Sequence, residues 1–172
     1  MAELTPQERL QPSLLDRLID DKPDNSQESR EHWVISPRRL REYVLRDLVW
    51  LLNTTHLAAT DDLDDYPQVA HSVLNYGLPD LAGRSVSNMD LGSLERMLRQ
   101  VILEFEPRIL RHSLKIRVLL SEQEMSHNAV SFEIRGELWA QPVPLELYLR
   151  TELDLDNGDM RVADLNTGTR LS

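Results

Sequence analysis

The clearest pattern in the 172-residue chain is a run of apolar residues at helical spacing between Asp90 and Glu106. The spacing follows i, i+3, i+4 and i+7, which predicts an amphipathic helix with one buried face and Asp90 as its N-cap. The apolar positions are Leu91, Leu94, Met97, Leu98, Val101, Ile102 and Phe105. Because a proline disfavours helical geometry in the residue before it, Pro107 is expected to end this helix at Glu106.

Two further helices are predicted upstream. Ser36 can cap the first, Pro37 fits its first turn, and an apolar stripe then continues to Asn53. Pro67 can begin the second, which is expected to end at Gly77. The residues expected to be buried in this second helix are Val69, Val73 and Leu74.

After His112 the pattern changes to strict alternation, which is typical of strands with one buried face. Alternation covers residues 114–120, 130–138, 145–153 and 160–163. The sequence Asp156-Asn157-Gly158 supplies a hairpin turn before the last strand. The sequence therefore predicts an α+β domain in which three helices pack on one face of a four-stranded antiparallel meander sheet.

The same patterns divide the chain into three parts. Residues 1–35 contain the polar stretch DDKPDNSQESREH and are expected to form a short helix followed by a flexible linker. Residues 36–166 are expected to form one α+β domain, and residues 167–172 a polar C-terminal tail.

The short helix ahead of the linker is amphipathic. Leu14, Leu15 and Leu18 share one face if the helix begins at Pro12 or Ser13. Two helical turns alone are marginal in water, so the leucines need a surface to cover them. This surface is either the chain's own domain or a partner protein.

The helix end at Glu106-Pro107-Arg108 is the strongest candidate for a working site. A helix C-terminus carries partial negative charge, so Glu104 and Glu106 are unfavourably placed there, by about 0.3–1 kcal/mol each when exposed. A place where the local preference is overridden is a working site more often than an average position is. A proline fixed between a Glu and an Arg can display acceptors and a planar fork of donors at one surface, which suits directional pairing with a partner.

Composition narrows the function classes. A net charge of −10 and a pI near 4.9 oppose binding to nucleic-acid backbones. No apolar run approaches the roughly 18–20 residues of a spanning helix, and the N-terminus lacks an export signal, so we expect a cytoplasmic protein without direct membrane contact. The chain has no cysteine, and its histidines are dispersed, so we expect neither a cofactor nor a metal site.

Four segments occur in a characteristic order: PSLLDRL at residues 12–18, HSVLNYGLPDL at 71–81, a helix ending in EFEPRIL at 104–110, and then the strands. In this order they resemble TssE, a family of baseplate wedge subunits of the bacterial type VI secretion system. That family is related to the lysozyme-like wedge protein of contractile phage tails. The resemblance covers nearly the whole chain and implies a structural protein that is not an enzyme.

The resemblance also implies partners. A TssE-like protein joins the wedge subunits TssF and TssG, with TssK and the VgrG hub nearby, and helps to start polymerisation of the TssB and TssC sheath. Sheath initiation in the related phage system resembles strand sharing, which implies that a sheet edge accepts a sheath strand. The first and last strands of a meander both offer such an edge.

Residue roles follow from the resemblance as well. The family's Glu-Pro-Arg motif falls on Glu106, Pro107 and Arg108, and is implied to contact the helical core bundle of the wedge. Partner binding is likewise implied for the PSLLDRL and NYGLPD segments. The residues concerned are Leu14, Leu15, Leu18, Asn75, Tyr76, Pro79 and Asp80.

Two other functions remain open from the sequence. The lysozyme-like relatives suggest a second hypothesis, that the protein is a peptidoglycan glycoside hydrolase. Such an enzyme needs two carboxylates about 5–9.5 Å apart, one of them in an apolar pocket. Glu106 is one candidate, but the sequence identifies no second acid. The same fold family also resembles an anti-adaptor that blocks a response-regulator adaptor, so the fold alone does not fix the role.

Overall fold

The structure, a computed structural model, consists of helices followed by an antiparallel sheet. It describes residues 13–18, 36–83, 90–119, 128–140, 143–166, 168 and 170–171. The helices are α1 (Leu14–Leu18), α2 (Pro37–Leu52), α3 (Pro67–Ala70) and α4 (Leu91–Phe105), with 3₁₀ turns at Leu57–Ala59 and Val73–Asn75. The strands are β1 (Lys115–Leu119), β2 (Ala129–Leu138), β3 (Leu145–Asp154), β4 (Met160–Asp164) and β5 (Arg170–Leu171). The predicted linker at 19–35 lies outside the described residues.

The two long helices begin and end where the sequence predicts. The Ser36 hydroxyl accepts a hydrogen bond from the Arg39 amide at 3.2 Å and so caps α2. The Asp90 carboxylate accepts from the Gly92 amide at 3.1 Å and caps α4. Glu106 is the C-cap of α4, with its backbone already outside helical geometry at φ −120° and ψ 80°.

The sheet is an antiparallel meander in the order β1-β2-β3-β4-β5. The four predicted strands are all present, and a short fifth strand follows them. Backbone pairing of β5 with Val162 and Ala163 of β4 adds a fifth strand within the predicted C-terminal tail. A two-residue strand has too few positions to show alternation, so the sequence pattern could not reveal it.

One hydrophobic core joins α2 and α4 to a single face of the sheet. Buried residues of the helices, such as Leu48 and Leu98, meet inward-facing sheet residues, such as Phe132 and Leu149. Asn53 fastens the end of α2 to β4, since its side-chain oxygen accepts from the Met160 amide and its side-chain nitrogen donates to the Met160 carbonyl, at 2.8 and 2.9 Å.

The prediction of a core helix from Pro67 to Gly77 was wrong. The segment forms only the single-turn α3 and a 3₁₀ turn, and Val73 and Leu74 are 80% and 66% exposed. Ser72 explains the break, because its hydroxyl accepts from the Leu74 amide and donates to the Val69 carbonyl. Such local side-chain hydrogen bonds compete with helix continuation.

Gly77 fixes the path of the chain after this break. The Leu78 amide donates to the Thr54 carbonyl at 2.8 Å, and the His56 amide donates to the Leu78 carbonyl at 2.9 Å. This close approach holds the loop against the end of α2. Gly77 has φ +122°, and a Cβ at this position would overlap the Thr54 carbonyl oxygen.

The outer edge of β1 is partly covered by α4. The Glu95 carboxylate accepts from the Val118 amide at 2.7 Å, and the Arg99 guanidinium donates to the Leu114 carbonyl at 3.4 Å. Both backbone groups point away from β2. Side chains of α4 therefore already bind the backbone amide and carbonyl groups with which an added strand would have to pair.

We expect Gly77→Ala to lower the free energy of unfolding by about 2–3 kcal/mol, because it combines left-handed strain with overlap against backbone. Gly83→Ala is the matched control, since Gly83 also has a positive φ, +72°, but open space around its Cβ position. Its cost should be about 1 kcal/mol. Urea unfolding measures both; equal losses would show that the Thr54 overlap relaxes without cost.

We expect Glu95→Ala to speed hydrogen exchange of the Val118 amide at least about tenfold, because the amide loses a charge-assisted hydrogen bond. Arg96→Ala, one residue further along α4, should leave that exchange rate unchanged, since the exposed Arg96 contacts Ser93 and Asp90 instead. Exchange followed by NMR decides the question. An unchanged Val118 rate in Glu95→Ala would show that the edge amide is protected by other means.

Candidate partner-docking site

The Glu106-Pro107-Arg108 tripeptide lies between the end of α4 and the end of β2. The Glu106 amide still donates to Ile102 of α4 at 2.9 Å, whereas Ile109 is buried and forms a backbone bridge with Leu138. The Trp139 amide donates to the Arg108 carbonyl at 2.7 Å. Two rigid elements therefore fix the backbone of the tripeptide.

The Glu106 side chain pairs inward with Arg108. One carboxylate oxygen accepts from the Arg108 amide and Nε, at 3.0 and 2.7 Å, and the other accepts from Nη2. The Glu106 side chain is 3% exposed and that of Arg108 is 23% exposed. The expectation that proline displays both side chains was therefore wrong for Glu106. Its carboxylate is satisfied within the chain by Arg108, whose positive charge offsets the unfavourable placement of a carboxylate at the helix end.

Arg108 also reaches α2, which the sequence did not indicate. Its Nη2 donates to one carboxylate oxygen of Asp47 at 2.5 Å. The other Asp47 oxygen accepts from Nη2 of Arg46, and the same Arg46 nitrogen donates to Asp16 of α1, both at 2.7 Å. We call Asp16, Arg46, Asp47, Arg108 and Glu106 the ion network.

Electrostatics keep the arginines of the ion network charged. Burial by itself lowers the pKa of Arg108, but hydrogen bonds and charge attraction from Glu106 and Asp47 outweigh it and raise the pKa above its ordinary value. The pKa of Arg46 is also raised, because the hydrogen bonds and charges of Asp47 and Asp16 outweigh the opposing effect of burial. Neither guanidinium therefore loses its proton near neutral pH.

Tyr76 packs between the ion network and α4. Its hydroxyl donates to the backbone carbonyl of Asp47 at 3.3 Å, and its ring packs edge-on against Phe105 with centroids 5.3 Å apart. Burial raises the pKa of Tyr76 to about 12, and the charges of Asp47 and Glu106 act in the same direction. Tyr76 therefore remains neutral and lies near the tripeptide as a support between α2 and α4.

Asn75 holds the neighbouring loop together. Its side-chain oxygen accepts from the Ala58 amide at 2.9 Å and lies 3.1 Å from Nδ1 of His56. Its side-chain nitrogen donates to the Ala70 carbonyl at 2.9 Å. These contacts use the side-chain oxygen and nitrogen of Asn75 within the chain. In the described structure Asn75 therefore stabilises the loop.

Pro79 and Asp80 lie away from the tripeptide. They line a small cavity of about 120 Å³ together with the β3–β4 turn at 157–159. The lining includes no residue of the ion network. One carboxylate oxygen of Asp80 accepts from the Ala82 amide at 3.0 Å. The structure therefore does not join these two predicted site residues to the Glu-Pro-Arg motif.

The sequence left open whether α1 packs on its own domain or docks to a partner, and the structure has features of both. It attaches to its own domain through Asp16, whose side chain is fully buried and paired with Arg46. Its leucines face outward: Leu14, Leu15 and Leu18 are 72%, 44% and 74% exposed. The leucines do not cover the domain in the described structure and are available for docking.

The described residues show neither a metal-binding group nor a membrane-spanning helix. Among them, no cluster of three or more His, Cys, Asp or Glu side chains is arranged to hold a metal ion. The described helices are too short or too polar to cross a membrane.

We expect Glu106→Gln to lower the free energy of unfolding by about 2 kcal/mol, since it replaces charge-assisted hydrogen bonds at a nearly buried position. Glu104→Gln, two residues earlier in the chain, should change stability by less than about 0.5 kcal/mol, because among the described residues the Glu104 carboxylate pairs with the exposed His71. Thermal and urea unfolding measure both variants. Equal stability losses would contradict a special structural role for Glu106.

One of three comparisons with known proteins gave a match. A family model described as baseplate wedge protein gp25 matches residues 38–143, which include the ion-network residues of α2 and the tripeptide. The searches of curated proteins and of solved structures each returned no significant match. Because the family model covers more than half of the chain, the chain belongs to the family of baseplate wedge protein gp25 and has a structural role in assembly with other baseplate components.

Proposed function

We propose that this baseplate wedge protein serves a bacterial type VI secretion system in the cytoplasm and joins TssF and TssG through Glu106-Pro107-Arg108. The observation that carries the proposal is an arginine held rigidly at a partly exposed surface. Arg108 keeps 23% of its side chain exposed while Glu106 and Asp47 fix its position. Because the side chain is already ordered, a partner loses little conformational entropy on binding it.

The surroundings of Arg108 suit a protein interface. Ile109 and Leu138 face each other across the backbone bridge, so Arg108 and Trp139 are the next opposed pair. The Trp139 amide donates to the Arg108 carbonyl, so the backbone of Trp139 lies next to that of Arg108. Trp139 is 49% exposed. Tryptophan and arginine are the side chains most enriched in interface hot spots, so the pair supplies contact area beside a directional donor.

We further propose that a TssB or TssC sheath strand adds at the β5 side of the sheet. The β1 edge is less suitable, since Glu95 and Arg99 occupy its outward-facing backbone groups at Val118 and Leu114. β5 is the terminal strand on the opposite side and is only two residues long. A short terminal strand can be extended or replaced by a longer one, which would start sheath assembly. In this proposal TssK and the VgrG hub lie nearby in the baseplate.

We infer that the protein acts as a scaffold without catalysis. Asp47 is the second acid near Glu106, but both carboxylates bind the same guanidinium nitrogen of Arg108. A lysozyme-like general acid must be free to donate a proton to the substrate from an apolar pocket, whereas here Arg108 occupies both carboxylates. The arrangement therefore supports docking over glycoside hydrolysis.

We expect Arg108→Lys to reduce retention of TssF and TssG at least about tenfold, because lysine keeps the charge but lacks the planar fork. The tagged chain is co-expressed with TssF and TssG from its own genome and purified, and melting curves confirm that the variant is folded. Arg96→Lys, at an exposed position on α4, is the matched control and should retain both partners.

Two outcomes would contradict the proposal. Equal retention of TssF and TssG by Arg108→Lys and by the unaltered chain would exclude the tripeptide as their binding site. Selective capture of a response regulator in place of TssF and TssG would favour the anti-adaptor function. Clearing of peptidoglycan by the purified chain, lost in Glu106→Gln, would instead favour the hydrolase.

A further inference from the structure

We propose that a basic surface on the β1 side of the sheet docks an extended acidic segment of another protein. This surface lies apart from the Glu106-Pro107-Arg108 tripeptide, so the inference does not depend on the docking role of the tripeptide. We call the following five exposed cations the basic surface: Arg99 of α4, Arg111 in the turn before β1, Lys115 and Arg117 of β1, and Arg135 of β2.

The chain concentrates positive charge just before and within β1. Residues 107–121 contain no Asp or Glu, although the full chain has 29 acidic residues against 19 basic ones. The basic residues of this segment are Arg108, Arg111, Lys115 and Arg117. An acid-free segment in so acidic a chain leaves its cations without acidic neighbours in sequence.

The strand register adds Arg135 to this group. Lys115 is opposite Arg135, and Arg117 is opposite Glu133, in the pairing of β1 with β2. Ile116 is buried in the core, so Lys115 and Arg117 lie on the outer face of the sheet. Like charges directly opposite each other are destabilising in a sheet. Lys115 and Arg135 therefore favour a carboxylate brought to this face by a partner.

Two carboxylates of the described residues lie within the basic surface, and both are already engaged. Glu133 accepts from Nη2 of Arg135 at 2.8 Å and from the Tyr148 hydroxyl at 2.5 Å. These hydrogen bonds, first that of Arg135, lower the pKa of Glu133, and the charge of Arg117 acts in the same direction. Glu95 accepts from the Val118 amide. Five cations against two carboxylates leave three positive charges in excess.

Neutral backbone groups hold two of the cations in place. Arg99 donates to the Leu114 and Arg111 carbonyls at 3.4 and 3.3 Å, and Arg111 donates to the Leu103 carbonyl at 3.5 Å. A carbonyl positions a guanidinium without neutralising its charge, so these arginines can still pair with an incoming carboxylate. The described residues supply no ion pair to the following cations: Arg99, Arg111, Lys115 and Arg117.

Charge selects a protein segment as the occupant. The whole chain carries −10, so the chain outside the five cations carries −15. A nucleic acid or an anionic membrane extends well beyond the basic surface and meets that negative charge. A second copy of the chain brings another −10 and is repelled. A short acidic segment contacts the basic surface alone, because charges beyond about 8 Å are screened at physiological salt.

The spacing along β1 favours an extended segment. Side chains at alternate positions of a strand recur about 7 Å apart, which is the relation between Lys115 and Arg117. Acidic residues at alternate positions of an extended partner have the same spacing. Glu137 and Glu146 oppose each other in the next outward-facing row of the sheet and mark where the basic surface ends.

The binding test uses the full chain and a fluorescein-labelled peptide of about eight residues with glutamate at alternate positions. Fluorescence anisotropy is measured at about 0.1 M ionic strength, where the Debye length is about 10 Å. We expect saturable binding of this peptide. The same peptide with glutamine in place of glutamate should bind at least about tenfold more weakly, because it lacks the charge that pairs with the cations.

We expect the double variant Lys115→Gln with Arg117→Gln to weaken binding of the glutamate peptide at least about fivefold. Arg38→Gln with Arg39→Gln is the matched control, since it removes the same charge from exposed positions at the start of α2. It should weaken binding less than about twofold. Melting curves confirm that both double variants are folded.

Cross-linking locates the bound peptide. Lys22 and Lys115 are the two lysines of the chain. A carbodiimide joins a lysine amine to a carboxylate as an amide and takes up the water that is lost. We expect mass spectrometry to find the glutamate peptide on Lys115 at least about fivefold more often than on Lys22.

Four outcomes would overturn the proposal. Equal binding of the glutamine peptide would show that charge does not select the ligand. Equal weakening in the Arg38 and Arg39 control would show an effect of net charge alone. Tighter binding of single-stranded DNA or of phosphatidylserine vesicles would assign the surface to another class of ligand. Self-association of the unaltered chain in sedimentation, lost in the Lys115 and Arg117 variant, would make a second copy the occupant.

Discussion

The pairing of Arg108 with carboxylates from two elements is the interaction on which the rest of the site depends. Glu106 comes from the end of α4 and Asp47 from the middle of α2, and one guanidinium bonds to both. The same Asp47 binds Arg46, which holds α1 through Asp16. One chain of ion pairs therefore sets the relative positions of three helices at the surface where the tripeptide emerges.

A network of this kind has a physical cost that hydrophobic packing would avoid. Removing charges from water is expensive, and replacing buried ion pairs with apolar residues is often neutral or stabilising. What ion pairs supply instead is direction, since Arg108 can satisfy Glu106 in only a narrow range of orientations. For a scaffold that must present a fixed surface to other baseplate components, orientation is the useful property.

Local pattern predicted the main elements well because each depends on residues close in sequence. α2, α4 and β1 to β4 follow from period and capping, and Glu106 ends α4 as Pro107 requires. The helix expected from Pro67 failed because the Ser72 hydroxyl and the Asn75 amide bind nearby backbone groups. β5 was missed because its two residues are defined only by pairing with β4.

The sequence by itself determined the α+β class, the single core and the end of α4 at Glu106, since these follow from periodicity and from the proline after Glu106. Only the tertiary structure decided that Glu106 is buried, that Asp47 completes the site and that Asp16 anchors α1 with its leucines outward. The physical reason is distance along the chain. Residues 16, 46, 47 and 108 meet because α2 and α4 pack on one sheet face, and no local pattern specifies which side chains then come into contact.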